Sequence, residues 1–253
     1  MTRRLLVTGA TGYLGRDVVQ LALAAGWDVN ADRVEVRDAD LVRAQLDRIR
    51  PDAVVHTAYR QDPPDAWSTN VDGSENVARA AAAVGARLVH VSTDVVFDGR
   101  LGRPYREHDP PSPCTDYGRT KAEAEHVVHA AHPAALLVRT SLIYGGPAHE
   151  PSKHEVAALD PEAVFYTGEI RSPIQVAELA YALLELTDTE LAGPLHVAGA
   201  DDLSRADFAE LVARRPVRRA PAPSDRPLDC ALDSSRARAL LATPLRGARS
   251  VLG

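Results

Sequence analysis

Leu5-Leu6-Val7-Thr8-Gly9-Ala10-Thr11-Gly12-Tyr13-Leu14-Gly15 is the stretch whose reading decides the fold. A short apolar run stops at a glycine, and an apolar helical pattern (Leu14, Val18, Val19, Leu21, Ala22, Leu23) follows at once. In a strand–turn–helix unit the three glycines have separate tasks. Gly9 turns the chain tightly, Gly12 removes a side chain where a phosphate must reach the backbone, and Gly15 lets the helix lie close to the strand. The first N–H groups of such a helix, and its positive end, then favour an anion. Ala24-Ala25-Gly26 closes the helix with a glycine C-cap signal.

Outward from this unit the same alternation continues. Val29 to Ala31 and Val34 to Val36 read as short strands, and Leu41 to Ile49 as a helix stopped by Pro51. Ala53 to Thr57 is a strand, Asn70 to Val84 an alanine-rich helix ended by Gly85, and Arg87 to Val91 a strand. Thr120 to Ala131 is helical and Ala135 to Arg139 is again strand. Continuous apolar strands separated by helices predict a parallel sheet covered on both faces. Beyond Gly146 the order loosens. Pro147 to His154 reads as a loop, Val176 to Leu186 as a helix, Leu195 to Val197 as a strand, and Arg205 to Ala213 as a helix capped by Ser204. Pro216 to Pro227, with four prolines, reads as an exposed connection. The expectation is an α/β chain with a Rossmann-type, doubly wound parallel sheet over 1–146. A small C-terminal substrate lobe, some of whose elements return to the core, covers 147–253.

Composition narrows the function. The chain has 253 residues, enough to bury a substantial core, and a net charge of −6 with no dense basic run, which argues against sequence-independent nucleic-acid binding. No apolar stretch approaches the ~20 residues of a membrane helix, and the run after Arg3-Arg4 is too short for a signal peptide. Cys114 and Cys230 are the two cysteines, too few for a disulfide framework or a metal site, so a reducing, cytoplasmic compartment with no metal is expected. The pattern leaves a homodimer open.

Tyr117 and Lys121 stand at i and i+4, a spacing that on a helix shares one face. A protonated Lys121 beside Tyr117 favours the phenolate, and Lys121 can also hold a nicotinamide ribose. Tyr117 can then donate a proton to a carbonyl oxygen as hydride reaches the carbon. Upstream, Val89-His90-Val91-Ser92-Thr93-Asp94 ends a strand in polar residues at its carboxyl end, where ligands gather in open α/β sheets. The Thr93 hydroxyl is placed to hydrogen-bond the same carbonyl oxygen.

The glycine spacing 9, 12, 15 resembles the short-chain dehydrogenase/reductase superfamily. The string Val91 to Gly99, then Pro104 to Asp109, then Tyr117 to Lys121 resembles the dTDP-4-dehydrorhamnose reductase family, and also the regulatory beta subunit of methionine adenosyltransferase. Arg139 to Gly145, Ser68 to Asp72, and Arg171 to Ile174 match further, so the resemblance covers roughly residues 4 to 200, and more loosely Arg226 to Asp233. It implies catalytic Thr93, Tyr117 and Lys121, with Asp94 as a second acid. For the dinucleotide, NADP or NAD, it implies Gly9, Thr11, Gly12, Tyr13, Leu14 and Gly15, with Glu35 and Val36 at the adenine. His56, Thr57, Ala58 and Tyr59 lie at the cofactor edge, Asn70 lies near the same cleft, and Tyr117 and Lys121 contribute again. Asp32 would favour a free 2′-hydroxyl and Arg33 a 2′-phosphate, so the choice between NADH and NADPH stays open. The chain departs from the family at Val95 and Leu142, where aromatic residues are usual, and its segment from Gly146 to Ile174 is short.

The function expected from the resemblance is an NAD(P)H-dependent reductase of a nucleotide-linked 4-keto sugar, a small-molecule partner, with neither nucleic acid nor membrane. Two other readings stand beside it. One is an NAD-dependent sugar-nucleotide epimerase or dehydratase. The other is a non-catalytic, dinucleotide-binding regulatory subunit.

Overall fold

The computed structural model describes residues 2–146 and 149–253. In chain order the elements of the first half are β1 (Arg4–Thr8), α1 (Tyr13–Ala24), β2 (Asp28–Asn30), α2 (Ala39–Ile49), β3 (Ala53–His56), a π-helical turn (Ser68–Asp72), α3 (Gly73–Val84), β4 (Arg87–Thr93), a 3₁₀ turn (Asp94–Val96), α4 (Asp116–Ala131) and β5 (Leu136–Thr140). The remainder comprises β6 (Ile143–Tyr144), α5 (Lys153–Leu159), β7 (Val164–Tyr166), β8 (Ile170–Arg171), β9 (Ile174–Gln175), α6 (Val176–Leu186), β10 (Gly193–His196), β11 (Leu203–Ser204), α7 (Arg205–Ala213), β12 (Arg218–Ala220), α8 (Ser235–Leu240) and α9 (Ala248–Leu252). Among the described residues six strands form one sheet in the order β10-β5-β4-β3-β1-β2. The fold is the expected Rossmann-type parallel sheet flanked by helices. From β1 the chain first moves outward to β2, then returns to place β3 on the other side of β1. The strand order therefore reverses between β1 and β3, and in such sheets ligands bind beyond the carboxyl ends at that point.

Two compact units divide the chain. The first contains the residues up to Ser92 with Arg119–Val138 and Ala180–Pro194; the second contains Thr93–Gly118, Arg139–Leu179 and Leu195–Gly253. In the first, β1 pairs with β3 in parallel register, Leu5 with Ala53 through Thr8 with His56, and β3 pairs with β4, His56 opposite His90. Leu6, Val54 and Leu88 from three adjacent strands pack with Val42 and Leu46 of α2, Val77 and Ala81 of α3, and Val128 of α4. Alternation along each strand sends these residues to one face, and 3.6-residue spacing sends the helix residues to meet them. In the second unit, Leu142 and Tyr144 pack with Leu203, Phe208 and Ala248, while Ala158, Ala206 and Ala209 bring α5 and α7 together beside Phe165.

Four sequence expectations differ from the structure. Val34 to Val36 is not a strand. Val36 turns into the core, its carbonyl accepts from Asn76 Nδ2 at 3.0 Å, and Asp38 then caps α2, so the backbone needs have been met without a neighbouring strand. Of the expected loop 147–154, Pro147 and Ala148 lie outside the described residues, and from Ser152 the chain enters α5 through a capping box. The Ser152 hydroxyl accepts from Glu155 N, and the Glu155 carboxylate accepts from Ser152 N. The proline-rich connection 216–227 contributes β12, which pairs in parallel with β7. α4 also starts four residues earlier than the periodicity suggested, which puts Tyr117 and Lys121 on one continuous helix.

His56 and His90 are both fully buried cross-strand neighbours, their rings 5.1 Å apart. His56 is satisfied by Thr8 Oγ1 and Ser74 Oγ, whereas neither ring nitrogen of His90 has a partner among the described residues. Burial, with the nearby charge of Lys121, pushes His56 down to about 3 and His90 well below its ordinary value of 6.5. Both rings stay neutral in the fold and protonate when it opens. The unfolded chain thus binds more protons below ~6.5, and each ring withdraws about 1.4 kcal/mol of stability per pH unit as the pH falls toward its folded value. We expect His90→Leu, which deletes two unpartnered polar atoms from an apolar setting, to be neutral or stabilising at pH 7. It should also flatten the acid side of the stability curve, read as urea midpoints from pH 7 to 4. An unchanged slope would mean that His90 is charged in the native state.

Candidate active site

In the first unit the site is built around the β1 and β3 carboxyl ends. The β1–β3 ladder runs one step beyond the strands: Thr57 N and Thr57 Oγ1 both donate to the Thr8 carbonyl, at 3.1 and 2.8 Å. Gly9 follows with φ +72°, and a Cβ there would stand 2.7 Å from Ala58 N. Only glycine satisfies both demands, the left-handed backbone and the close approach of the two loops. A Cβ on Gly15 would fall on the Gly9 carbonyl oxygen. Gly12 is different. It is exposed, and the only atom within 4 Å of an added Cβ is Gly9 O, at 3.1 Å. The protein's own packing asks little of Gly12, and the space beside it is open. α1 starts directly after Gly12 with no side-chain cap, so its first N–H groups face that space. This cradle fits the diphosphate of a dinucleotide. Thr11 is exposed beside Gly12, Tyr13 is half-buried, and Leu14 is buried and anchors the helix.

The remaining residues suggested for the dinucleotide are differently placed. Glu35 is half-exposed and held by Arg37 through two contacts, 2.7 and 3.0 Å, which draw its carboxyl down to about 2. Val36 is a core residue against Gly73. Thr57 and Ala58 are half-buried and Tyr59 is exposed. Asn70 is fully buried within the π-helical turn. Its Oδ1 accepts from Arg60 N at 2.8 Å, and its Nδ2 donates to Arg60 O at 2.7 Å and to Thr120 Oγ1 at 2.9 Å. The side-chain amide thereby pins the loop after β3 to α4.

Lys121, only 3% exposed, donates from Nζ to the Val91 carbonyl at 2.8 Å. One residue on, Ser92 Oγ donates to Glu125 Oε1 at 2.5 Å, so α4 is tied twice to the end of β4. Burial pulls the Lys121 ammonium down to about 8, partly offset by the Glu125 charge.

In the second unit Thr93 opens the 3₁₀ turn as its cap. Thr93 Oγ1 accepts from Val95 N at 3.3 Å and donates to Asp94 Oδ1 at 3.1 Å. Asp94 is buried; its Oδ2 accepts from Ser141 Oγ at 2.5 Å and lies 3.7 Å from Arg171 Nε. Burial raises the Asp94 carboxyl above the ordinary carboxylate range against the opposing pull of Arg171. Gly118 has no room for a Cβ because the Val95 carbonyl oxygen occupies that place. The start of α4 therefore lies directly on the turn that follows Thr93, and the half-buried Tyr117 enters beside it. The segment Pro104 to Asp109 is structural. Tyr105 stacks on Phe97 with ring centroids 3.9 Å apart, and Arg103 grips Asp109 through two 2.8 Å contacts. Leu142 is buried in the cluster with Tyr144 and Phe208, so the departure at this position is a core substitution here. Sequence reading missed Ser141, Glu125 and the Asn70–Thr120 bond. Glu125, four residues beyond Lys121 on α4, is the one that helical spacing could have found. Among the described residues no group of acidic, histidine or cysteine side chains could hold a metal, and no helix is long and apolar enough to cross a membrane.

Comparison with known proteins extends over the whole chain. The family model described as RmlD substrate binding domain matches residues 3–253. The dTDP-4-dehydrorhamnose reductase of Mycolicibacterium smegmatis is 36% identical, the alignment covering 100% of this chain and 84% of the relative. Methionine adenosyltransferase 2 subunit beta of Bos taurus is 31% identical, covering 92% of this chain and 81% of the relative. The crystal structure of a dTDP-4-dehydrorhamnose reductase from Bacillus anthracis in complex with NADP superposes with a TM-score of 0.87 at 27% identity, covering 100% of this chain and 98% of that one.

Gly12 and Gly15 can be separated by stability alone. Gly15→Ala forces the Gly9 carbonyl and α1 apart and is expected to cost ~1–3 kcal/mol, whereas Gly12→Ala should remain within ~1 kcal/mol of the parent. Denaturant midpoints of the two variants without added nucleotide check this. Equal losses would mean that Gly12 is also fixed by packing.

Proposed function

The chain belongs to the RmlD substrate binding domain family, and on that premise we propose that it is an NAD(P)H-dependent reductase of a nucleotide-linked 4-keto sugar, acting in the cytoplasm. The observation that carries the reading is the arrangement of α4. Lys121 is buried on the Val91 carbonyl one helical turn after Tyr117, while Gly118 holds the same helix on the turn that follows Thr93. The uncapped start of α1 supports the dinucleotide half of the proposal. A bound reduced nicotinamide supplies the hydride to the carbonyl carbon.

The protein's own residues manage the proton. Lys121, fixed at Nζ and charged below about 8, favours the phenolate form of Tyr117 and so makes its hydroxyl a better acid. Tyr117 Oη gives its proton to the carbonyl oxygen as that oxygen gains negative charge. Thr93 Oγ1 orients the same oxygen by turning its one proton from Asp94 Oδ1 to the carbonyl, and Asp94, held toward its protonated state by burial, can then donate to Thr93 Oγ1 in its place. Glu35 is assigned to the adenine end, with the buried Val36 fixing the segment beneath it, and the turn Gly9, Thr11, Gly12, Tyr13, Leu14 and Gly15 is assigned to the diphosphate through its backbone, Leu14 holding the helix in the core. Thr57, Ala58 and Tyr59 line the edge after β3. Asn70 acts through the loop and helix that it joins.

A regulatory-subunit reading is favoured by the 31% identity to methionine adenosyltransferase 2 subunit beta. Turnover separates the two. With dTDP-4-keto-6-deoxy sugar as substrate, Tyr117→Phe should bind NADPH as the parent does and slow single-turnover NADPH oxidation by ~10²–10⁴-fold. A variant within ~10-fold of the parent would remove Tyr117 from the mechanism.

Lys121 also predicts a pH limb. The ammonium is the active form, so kcat/KM should fall about tenfold per pH unit above a break near 8. Steady-state rates from pH 6 to 10 measure this. A flat profile to pH 10 would mean that the charge on Lys121 does not act in the reaction.

A further inference from the structure

Arg205 and His154, both in the second unit, form a basic pair that the proton chemistry does not use. Arg205 is the first residue of α7, His154 the second of α5, and Arg205 Nη1 stands 3.1 Å from His154 Nδ1. Both side chains are half-buried, so each keeps an open side. Among the described residues no carboxylate pairs with Arg205. The two acids whose charge reaches it are engaged elsewhere. Glu169 is ion-paired to Arg226 and lies 3.9 Å from Arg171, and Asp94 takes the Ser141 hydroxyl and faces Arg171. Arg171 is itself fixed on the carbonyls of Ile170, Pro227 and Leu228.

Arg171, Arg205 and Arg226 thus share two carboxylates. Among the described residues the side chain of Arg205 bonds to an imidazole that carries no charge, because burial and the cations Arg205, Lys153 and Arg171 push His154 down to about 3. Burial, with repulsion from Arg171, lowers Arg205 to about 10 despite the opposing pull of Glu169 and Asp94. A guanidinium partly withdrawn from water, short of negative charge and with donors beyond the one given to His154, is a receptor for a planar or tetrahedral oxyanion.

We propose that Arg205, with His154 beside it, binds the diphosphate of the sugar-nucleotide substrate. The proposal rests on the nucleotide-sugar reading above. The other phosphate source is the dinucleotide, but its diphosphate already has a cradle at the uncapped start of α1, so the pair in the second unit is assigned to the substrate.

The test titrates dTDP, thymidine, inorganic pyrophosphate and NADPH into the parent, Arg205→Gln and Arg205→Lys by calorimetry. Loss of a charge-assisted bond predicts dTDP and pyrophosphate weakened roughly 10- to 100-fold in Arg205→Gln. Arg205→Lys should recover part of the loss, and thymidine and NADPH should be unaffected. Unaltered NADPH affinity also certifies that the variant is folded. Unchanged dTDP affinity in Arg205→Gln overturns the assignment even if the parent turns over the dTDP substrate. Weakening of NADPH alone moves the pair to the cofactor and overturns it equally. Pyrophosphate binding that depends on Arg205, in a parent that gains nothing from the thymidine moiety, keeps the anion site while the nucleotide-sugar reading fails.

Discussion

An ammonium group buried beneath a helix is the constraint on which the rest of this site depends. Removing a charge from water costs several kcal/mol unless hydrogen bonds replace the lost solvent. Lys121 meets that demand at the Val91 carbonyl, with the Glu125 charge one turn further along α4. Val91 is the last apolar residue of β4 before Ser92 and Thr93, so the bond ties α4 to the end of that strand. Ser92 and Glu125 repeat the tie one step on. Thr93 and Tyr117, to which the proposal gives the chemistry, follow or precede these fixed points by a few residues in the chain. The cost is visible in the pKa of Lys121, drawn down to about 8 and so close to the working range of a proton-transfer site.

The second dependence is backbone geometry at the switch between β1 and β3. Gly9 adopts a left-handed conformation with the loop after β3 pressed against it, and Gly15 brings α1 onto the Gly9 carbonyl. Between them Gly12 looks outward. Two of the glycines are required by the protein's own packing, and Gly12 is left with open space beside it. The spacing alone could not make that distinction, since all three glycines read identically as missing side chains.

Much of the fold was legible because it rests on local rules. β1, β3, β4 and β5 are apolar runs too continuous to be one-sided strands, and α1 and α3 end at glycines with positive φ one or two residues later, Gly26 at +83° and Gly85 at +71°. Where reading failed, tertiary partners decided. Val36 looked like a strand residue, yet its carbonyl is satisfied by Asn76 from α3. The turn around Ser152 carried its capping-box signal in Ser152-Lys153-His154-Glu155, but the preceding proline obscured it. In the candidate site, helical spacing put Tyr117 and Lys121 on one helix, and the apolar run before Thr93 put that residue at a strand end, which is where the structure has them. Ser141 was not, because it reaches Asp94 across 47 residues, and nothing local announces a hydroxyl–carboxylate contact of that range. Asn70 was read as a neighbour of the cofactor; its amide is bonded to Arg60 and Thr120, which makes it a brace for the loop and helix it joins.

The central claim is that the buried Lys121, through Tyr117, serves a hydride transfer to a sugar carbonyl and not a silent binding role. Transfer of label measures this directly. The protein is incubated with dTDP-4-keto-6-deoxy sugar and NADPH carrying deuterium at nicotinamide C4, tested in each of the two stereochemical positions, and the sugar product is examined by mass spectrometry and NMR. The account predicts one deuterium at the sugar C4, from one of the two labelled cofactors only, in step with NADPH consumed. Recovery of unlabelled sugar with no NADPH consumed, from protein that demonstrably binds NADPH, would contradict it.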